Sequence, residues 1–388
     1  MKYVLLGLLI LFSFIALALF LVDFYFYLVD RYCRFHIGRW KSKAEWTEAV
    51  YKVCVKWSKK TPTVKITDNS RYVLLDMISG KYRSSSIQSW QTASVILGLL
   101  QKGDTENARK SAERYIDKNG QWKETPKTVD FGMLSYAVLK TADNPENIKP
   151  AMDFTASLIF NNIDEKGLIA YTNSKADPEK YVDTLGLVCP FLALYAKVYN
   201  KPEFEELAFK QLEFFHDNGL FVNTNLPNHA VNSDSNLPLG VYGWGRGVAW
   251  YTLGLIDTYY ELENNEYKEK ILRWINSASL EYLKYQRDDG GFGSSLQRQQ
   301  TYDSSATAAL AYFYIRCMDL FDESYYGTVV EKALEKLKKN TRITGKIDGC
   351  QGDTKGIGIF SQTYDIMPFA QGLALRTIEL QRKINNNG

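Results

Sequence analysis

Histidine is scarce in this chain of 388 residues, with His36, His216 and His229 the three present. The five cysteines, Cys33, Cys54, Cys189, Cys317 and Cys350, are widely spaced and form no Cys-x-x-Cys pair. Both shortages argue against a zinc centre, and the cysteines read as buried free thiols. An excess of one charge is lacking too: 47 Lys and Arg face 44 Asp and Glu, a net charge of +3. No basic cluster with interleaved aromatics occurs, so nothing points to a nucleic-acid partner. Alternating strand patterns are rare, and no Asn-x-Ser/Thr acceptor is present. What remains is 45% hydrophobic and 14% aromatic, in a chain long enough for one large core or two small ones.

Charge is wholly missing from one stretch, Tyr3 to Val22, "YVLLGLLILFSFIALALFLV". About 20 such residues span a bilayer as a helix. No small-x-small cleavage site follows, and apolar residues resume after Asp23, so the segment reads as an uncleaved anchor. Arg31, Arg34, Arg39, Lys41 and Lys43 follow it, and Lys2 precedes it. That asymmetry leans towards a cytoplasmic C-terminal domain, in a single-pass protein of the bacterial inner membrane. The expected divisions are an anchor over 1–30, a basic juxtamembrane segment over 31–50 and one domain over 51–388.

Past the anchor one pattern recurs. An amphipathic helix ends near a glycine, a loop rich in Gly, Asn, Asp and Ser follows, and a more apolar helix begins. The glycines are Gly80, Gly120, Gly167, Gly219, Gly290 and Gly345. The spacing is a loose period of roughly 40 to 70 residues, as in repeat architectures. In "KPEFEELAFKQLEFFHDNG", Phe204, Leu207, Ala208, Leu212 and Phe215 share one stripe, as an outer helix requires. The second helix of each unit is apolar on most sides, with small residues such as Gly186, Ala193, Gly254, Ala308 and Ala309 allowing close approach. The reading is all-α: an (α/α)6 barrel, a toroid of six hairpins, preceded by one transmembrane helix. A linear solenoid is the rival, but a closed ring leaves no apolar end exposed.

Closure gathers the six inner-helix starts at one mouth. They carry Trp90 and Gln91, Asp130, Asp183, Trp244 with Arg246, Asp303, and Asp365. Such a funnel suits a polar, ring-shaped ligand. Each Asp also has a plainer role as a helix cap, and that role is taken for Asp303 and Asp365. Asp130 and Asp183 open consecutive inner helices. A cap lowers a carboxyl pKa, whereas a general acid near neutral pH needs burial or a second carboxylate to raise it. Tyr181, Trp244 and Trp250 offer desolvating walls. In "GWGRGVAW" the glycines permit close backbone approach and Arg246 offers a fork for a carboxylate; a tight turn with core tryptophans is the alternative. His229 lies in a long loop that reaches the mouth, while His36 and His216 read as bystanders.

"YVDTLGLVCPFLALY", "YGWGRGVAWYTLGL" and "YDSSATAALAYFYI" together resemble the unsaturated glucuronyl and rhamnogalacturonyl hydrolases, glycoside hydrolase families 88 and 105. The resemblance runs from about Tyr51 to the end. It implies an (α/α)6 barrel acting on oligosaccharides that end in a uronic acid with a C4=C5 double bond. It implies hydration of that vinyl ether without metal or organic cofactor. By the resemblance, Asp183 is the acid/base and Asp130 the second Asp that assists it. Trp90, Gln91, Tyr181, His229, Trp244, Arg246 and Trp250 are the expected substrate-binding set, with the tryptophans stacking on the sugar and Arg246 holding its carboxylate. The chain departs from the family pattern at Val248 and Ala249, at Leu187 where Met is common, and at Asn223, where many members carry His. Two other readings stand beside it: another sugar-active (α/α)6 enzyme, such as an ordinary glycosidase or an epimerase, and a non-catalytic glycan-binding toroid in surface-polysaccharide assembly.

Overall fold

The computed structural model describes residues 1–387 except 85, 86, 173 and 322. Helix α1 (Lys2–Phe35) precedes the barrel. The outer helices are α2 (Lys43–Lys59), α5 (Thr105–Glu113), α7 (Lys149–Phe160), α9 (Pro202–Asn218), α11 (Asn265–Leu283) and α13 (Tyr325–Lys339). The inner ones are α4 (Gln88–Lys102), α6 (Gly132–Thr141), α8 (Asp183–Tyr199), α10 (Gly245–Glu261), α12 (Ser304–Leu320) and α14 (Pro368–Asn387). Each inner helix packs on the next, and α14 packs on α4 to close the ring. The toroid expected from the sequence is therefore the fold.

Burial separates the two rings. In α9, Leu207, Ala208, Leu212 and Phe215 are buried, while Glu203 and Glu205 occupy the first turn outside, as a single apolar stripe dictates. In α8, every residue from Thr184 to Ala196 is buried. Inner helices approach through small residues. A Cβ on Gly186 would sit 2.7 Å from the Trp250 carbonyl oxygen, and one on Gly254 would sit 2.9 Å from Leu185. At the seam, a Cβ on Gly98 would sit 2.9 Å from the Gly372 carbonyl oxygen.

The helix-to-helix turns at the far end are short. The connections at the mouth are long and carry small antiparallel sheets: β1 (Val64–Lys65) with β2 (Arg83–Ser84), β3 (Glu179–Tyr181) with β4 (Ala230–Asn232) and β5 (Leu237–Leu239), β6 (Gly293–Ser295) with β7 (Arg298–Tyr302), and β8 (Cys350–Gln351) with β9 (Tyr364–Asp365). These strands are too short to announce themselves by alternation. A six-residue helix, α3 (Val73–Ile78), lies in the first of these connections.

Two sequence expectations differ in detail. Trp46 and Val50 of α2 are fully buried in the barrel core, so the barrel takes in residues assigned to the juxtamembrane segment. Asp365 caps no helix: it pairs with Arg342 at 2.9 Å, and α14 starts only at Pro368. Gly219 keeps a negative φ, and the positive φ in that loop falls at Asn223, +60°. Asp303 does cap its helix, accepting the Ser305 amide at 2.8 Å.

Candidate active site

A cavity of about 300 Å³ opens at the mouth, walled by Trp90, Tyr171, Tyr181, Asp183, Leu187, His229, Arg246, Trp250 and Asp353, among others. The sheet of β3 and β4 builds one side. Tyr181 pairs with Ala230, and the Val182 amide donates to the His229 carbonyl at 3.0 Å. That register sets His229 beside Asp183 despite their distance in sequence. Close packing of Gly186 against Trp250 builds the other side, bringing the indole to the head of α8.

Asp183 is not a cap. It is the first residue of its helix, and Val182 stands at the cap position before it. Its Oδ2 is buried without a hydrogen-bond partner, as is the Trp250 indole N–H. Buried polar atoms are nearly always paired; the indole N–H is near enough to act on the carboxylate, but neither atom has a well-formed bond, and both belong to residues that wall the cavity. Burial pushes the Asp183 carboxyl up to about 7; the Arg246 charge opposes this, the Asp353 charge adds to it, and the Trp250 indole N–H beside the carboxylate lowers it again in part.

His229 Nε2 lies 3.8 Å from Asp183 Oδ2. Its Nδ1 accepts the Gly358 amide at 3.2 Å, which assigns the ring proton to Nε2. Burial and the nearby Arg246 hold its pKa down at about 4, so the ring is neutral at pH 7. Arg246 donates to the carbonyls of Gln351 at 2.6 Å and Gly352 at 2.7 Å. Its fork therefore holds the loop that carries Asp353, while its charge faces the cavity.

Of the expected residues, Asp183, Trp90, Tyr181, His229, Arg246 and Trp250 meet here. Trp90 and Trp250 pack edge to face at 5.3 Å, and Tyr181 meets His229 at 5.8 Å. Trp244 does not line the cavity. It backs His229 at 4.7 Å and donates to Gln351 Oε1 at 3.1 Å. Gln91 is fully buried behind the wall, accepting the Phe369 amide at 2.8 Å. Asp130 faces a neighbouring cavity of about 870 Å³, which shares Ile87 and Tyr171 with the first. Burial raises its pKa, against a hydrogen bond from Thr128. Among the groups acting on Asp183, the raising carboxylate is Asp353, not Asp130. Asp353 and Tyr171 carry no periodic signal of their own, because both lie in loops. The run "QGDTKGIG" was the available signal, an acid among glycines in a mouth loop. Among the described residues no group of three or more His, Cys, Asp or Glu is placed to hold a metal ion.

An aromatic, acid-bearing mouth on a closed helical ring is a site for a polar, ring-shaped ligand. The chain belongs to Glycosyl Hydrolase Family 88, whose model matches residues 36–382. Solved structures agree on the fold. A possible member of family 105 from Salmonella enterica serovar Paratyphi A superposes with a TM-score of 0.71 at 19% identity, covering 89% of this chain and 96% of its own. The unsaturated glucuronyl hydrolase of Bacillus sp. GL1, described as responsible for glycosaminoglycan degradation, gives 0.63 at 16% identity, covering 87% and 96%. An unsaturated glucuronyl hydrolase specific for heparin gives 0.64 at 15%, covering 88% and 98%. No curated protein sequence matches the chain.

Proposed function

We propose that this glycoside hydrolase acts on oligosaccharides ending in a 4,5-unsaturated uronic acid, with Asp183 as the proton donor. The observation that carries the reading is a carboxyl with a pKa of about 7 and an unpaired oxygen inside the aromatic cavity. An acid at that value is half protonated at neutral pH, where general acid catalysis is most effective.

The steps follow from the groups present. Protonated Asp183 gives its proton to C4 of the vinyl ether, and the C4=C5 electron pair forms the new C–H bond. The positive charge left on C5 is shared with the ring oxygen. Water adds to C5 and returns a proton to the Asp183 carboxylate. The resulting hemiketal opens, breaking the bond from the ring oxygen to C5 and leaving a C5 ketone and a hemiacetal at C1; that hemiacetal collapses to the aldehyde, breaking the C1–O bond and freeing the adjoining sugar with a proton on its oxygen. Arg246 supplies positive charge for the uronate carboxylate, Trp90, Trp250 and Tyr181 supply faces for the ring, and neutral His229 donates a hydrogen bond from Nε2. Asp353 raises the Asp183 pKa by its charge, and Asp130 lines the neighbouring cavity, where the adjoining sugar would lie.

The helix α1 is long and apolar enough to cross a membrane, and in this reading it anchors the barrel to the bacterial inner membrane, with the Lys and Arg flank on the cytoplasmic side. A periplasm-dependent reporter fused at the C-terminus stays silent in that topology; an active fusion overturns it.

The test of the reaction is ultraviolet absorbance of the C4=C5 bond in lyase-generated disaccharides. Decay with the parent protein and none with Asp183→Asn supports the reading. Cleavage of saturated glycosides without loss of absorbance refutes it.

A further inference from the structure

The anchor is fastened to the rim of the mouth. Asp23 accepts the backbone amides of Tyr72 at 2.7 Å and Val73 at 2.9 Å, through its two carboxylate oxygens. Phe26 packs on Tyr82 at 5.8 Å. Lower down, Arg34 grips Asp348 with two donors at 2.7 and 3.1 Å, and the Gly38 amide donates to the Thr341 carbonyl at 2.9 Å. The α3 connection in turn touches the loop that walls the cavity: Asp68 Oδ1 accepts from Ser361 at 2.5 Å and Thr363 at 3.2 Å, and Lys355 reaches the Ile66 carbonyl.

Helix rise sets the level of these contacts. The charge-free run from Tyr3 to Val22 covers about 30 Å, the thickness of a hydrocarbon core. Asp23 therefore stands where hydrocarbon gives way to headgroups, and it holds the start of α3 at that level. One face of α3 and the residue before it point out of the protein: Tyr72 is 60% exposed, Leu75 51% and Ile78 77%, while Val73 is buried against the barrel side. Leu75 and Ile78 are three apart and share a face. Exposed Arg71, Lys81 and Arg83 flank them. An apolar knob ringed by cations is what a bilayer interface accepts.

We propose that the segment 71–83 is a second membrane contact, seated in the headgroup layer of the bilayer that α1 crosses, so that the barrel mouth opens beside the lipid surface. The occupant is the bilayer because the knob continues the apolar flank of α1. The inference rests on α1 being a membrane span and is independent of the reaction catalysed.

The test uses the full chain in lipid vesicles, in a Cys33→Ser background, since the other four cysteines are buried. A fluorophore is placed at Leu75→Cys, Ile78→Cys, Leu9→Cys in the span, or Glu203→Cys at the far end of the barrel. The quencher is lipid bearing a nitroxide. The expected result is that positions 9, 75 and 78 lose most of their emission and position 203 loses none. Quenching at 9 without quenching at 75 and 78 overturns the second contact alone. No quenching at 9 overturns the span and the inference with it. Neither result bears on hydrolysis, which is read separately by absorbance.

Discussion

His229 Nε2 stands 3.8 Å from Asp183 Oδ2 with its other ring nitrogen held by the Gly358 amide. The pair is a neutral imidazole beside an unpaired carboxyl oxygen, not an ion pair. Any ligand atom entering between them meets a donor on one side and an acid on the other.

Replacing Asp183 with Asn removes the transferable proton while keeping size and shape. Turnover of unsaturated disaccharide is expected to fall by about 10²–10⁴-fold, the usual worth of a positioned general acid. Ligand binding by calorimetry should persist.

The same substitution should stabilise the protein. The folded pKa of Asp183 is raised to about 7 from 3.8, so the folded state binds a proton more tightly than the unfolded chain. Its contribution to stability is present at acid pH and is lost as pH rises from about 4 to about 7, on the order of 4 kcal/mol at most. Asp183→Asn should thus melt higher than the parent at pH 8, with the gain vanishing near pH 4. An equal gain at both values would contradict the raised pKa.

Activity as a function of pH carries a second sign. With Asp183 as the acid, kcat/KM declines above pH 7. Asp353 raises the Asp183 pKa through its charge, so Asp353→Asn should move that alkaline limb to lower pH. A limb unchanged in position would remove Asp353 from the site's electrostatics.

Gly186 sets how closely α10 approaches α8. A methyl group there would stand 2.7 Å from the Trp250 carbonyl oxygen and 2.9 Å from its ring. Gly186→Ala is expected to cost about 1–3 kcal/mol by overpacking, read as a lower Tm, and to lower kcat by displacing Trp250.

Asp257 provides the contrasting carboxylate. It is buried at the ring's other end, where Arg376 donates to both of its oxygens at 2.8 and 2.9 Å and Tyr312 adds a bond at 2.6 Å. Burial alone would raise its pKa, but Arg376 prevails and lowers it. Asp257→Asn should destabilise by about 3–5 kcal/mol, the cost of stranding a buried charge. The folded fraction should retain the parent kcat.

The toroid was legible because its signal is repeated: each outer stripe and each small-residue inner helix states the same geometry again. Asp183, Trp90, Tyr181, His229, Arg246 and Trp250 were legible because helix starts and one long loop converge once the ring closes. Trp244 was read into the cavity because glycines flank it. In fact a Cβ on Gly245 would stand 2.3 Å from the Gly293 carbonyl oxygen, so those glycines serve packing between mouth loops. Asp353 could not be ranked among so many loop acids without knowing that Arg246 holds the two carbonyls before it. The α3 segment "VLLDMI" is too short for periodicity, and its partner Asp23 lies in a helix that reads as pure anchor.

The seam between α14 and α4, where Gly98 and Gly372 nearly touch, joins the last inner helix to the first. A ribosome adding about 5–20 residues per second exposes α4 on the order of tens of seconds before α14 exists. Over that interval the inner face of α4, with Trp90 and Ser94 on it, has no lasting partner, and the anchor is already made. The half-built ring therefore waits with an apolar flank open, a window in which chaperones must keep it from the wrong neighbour.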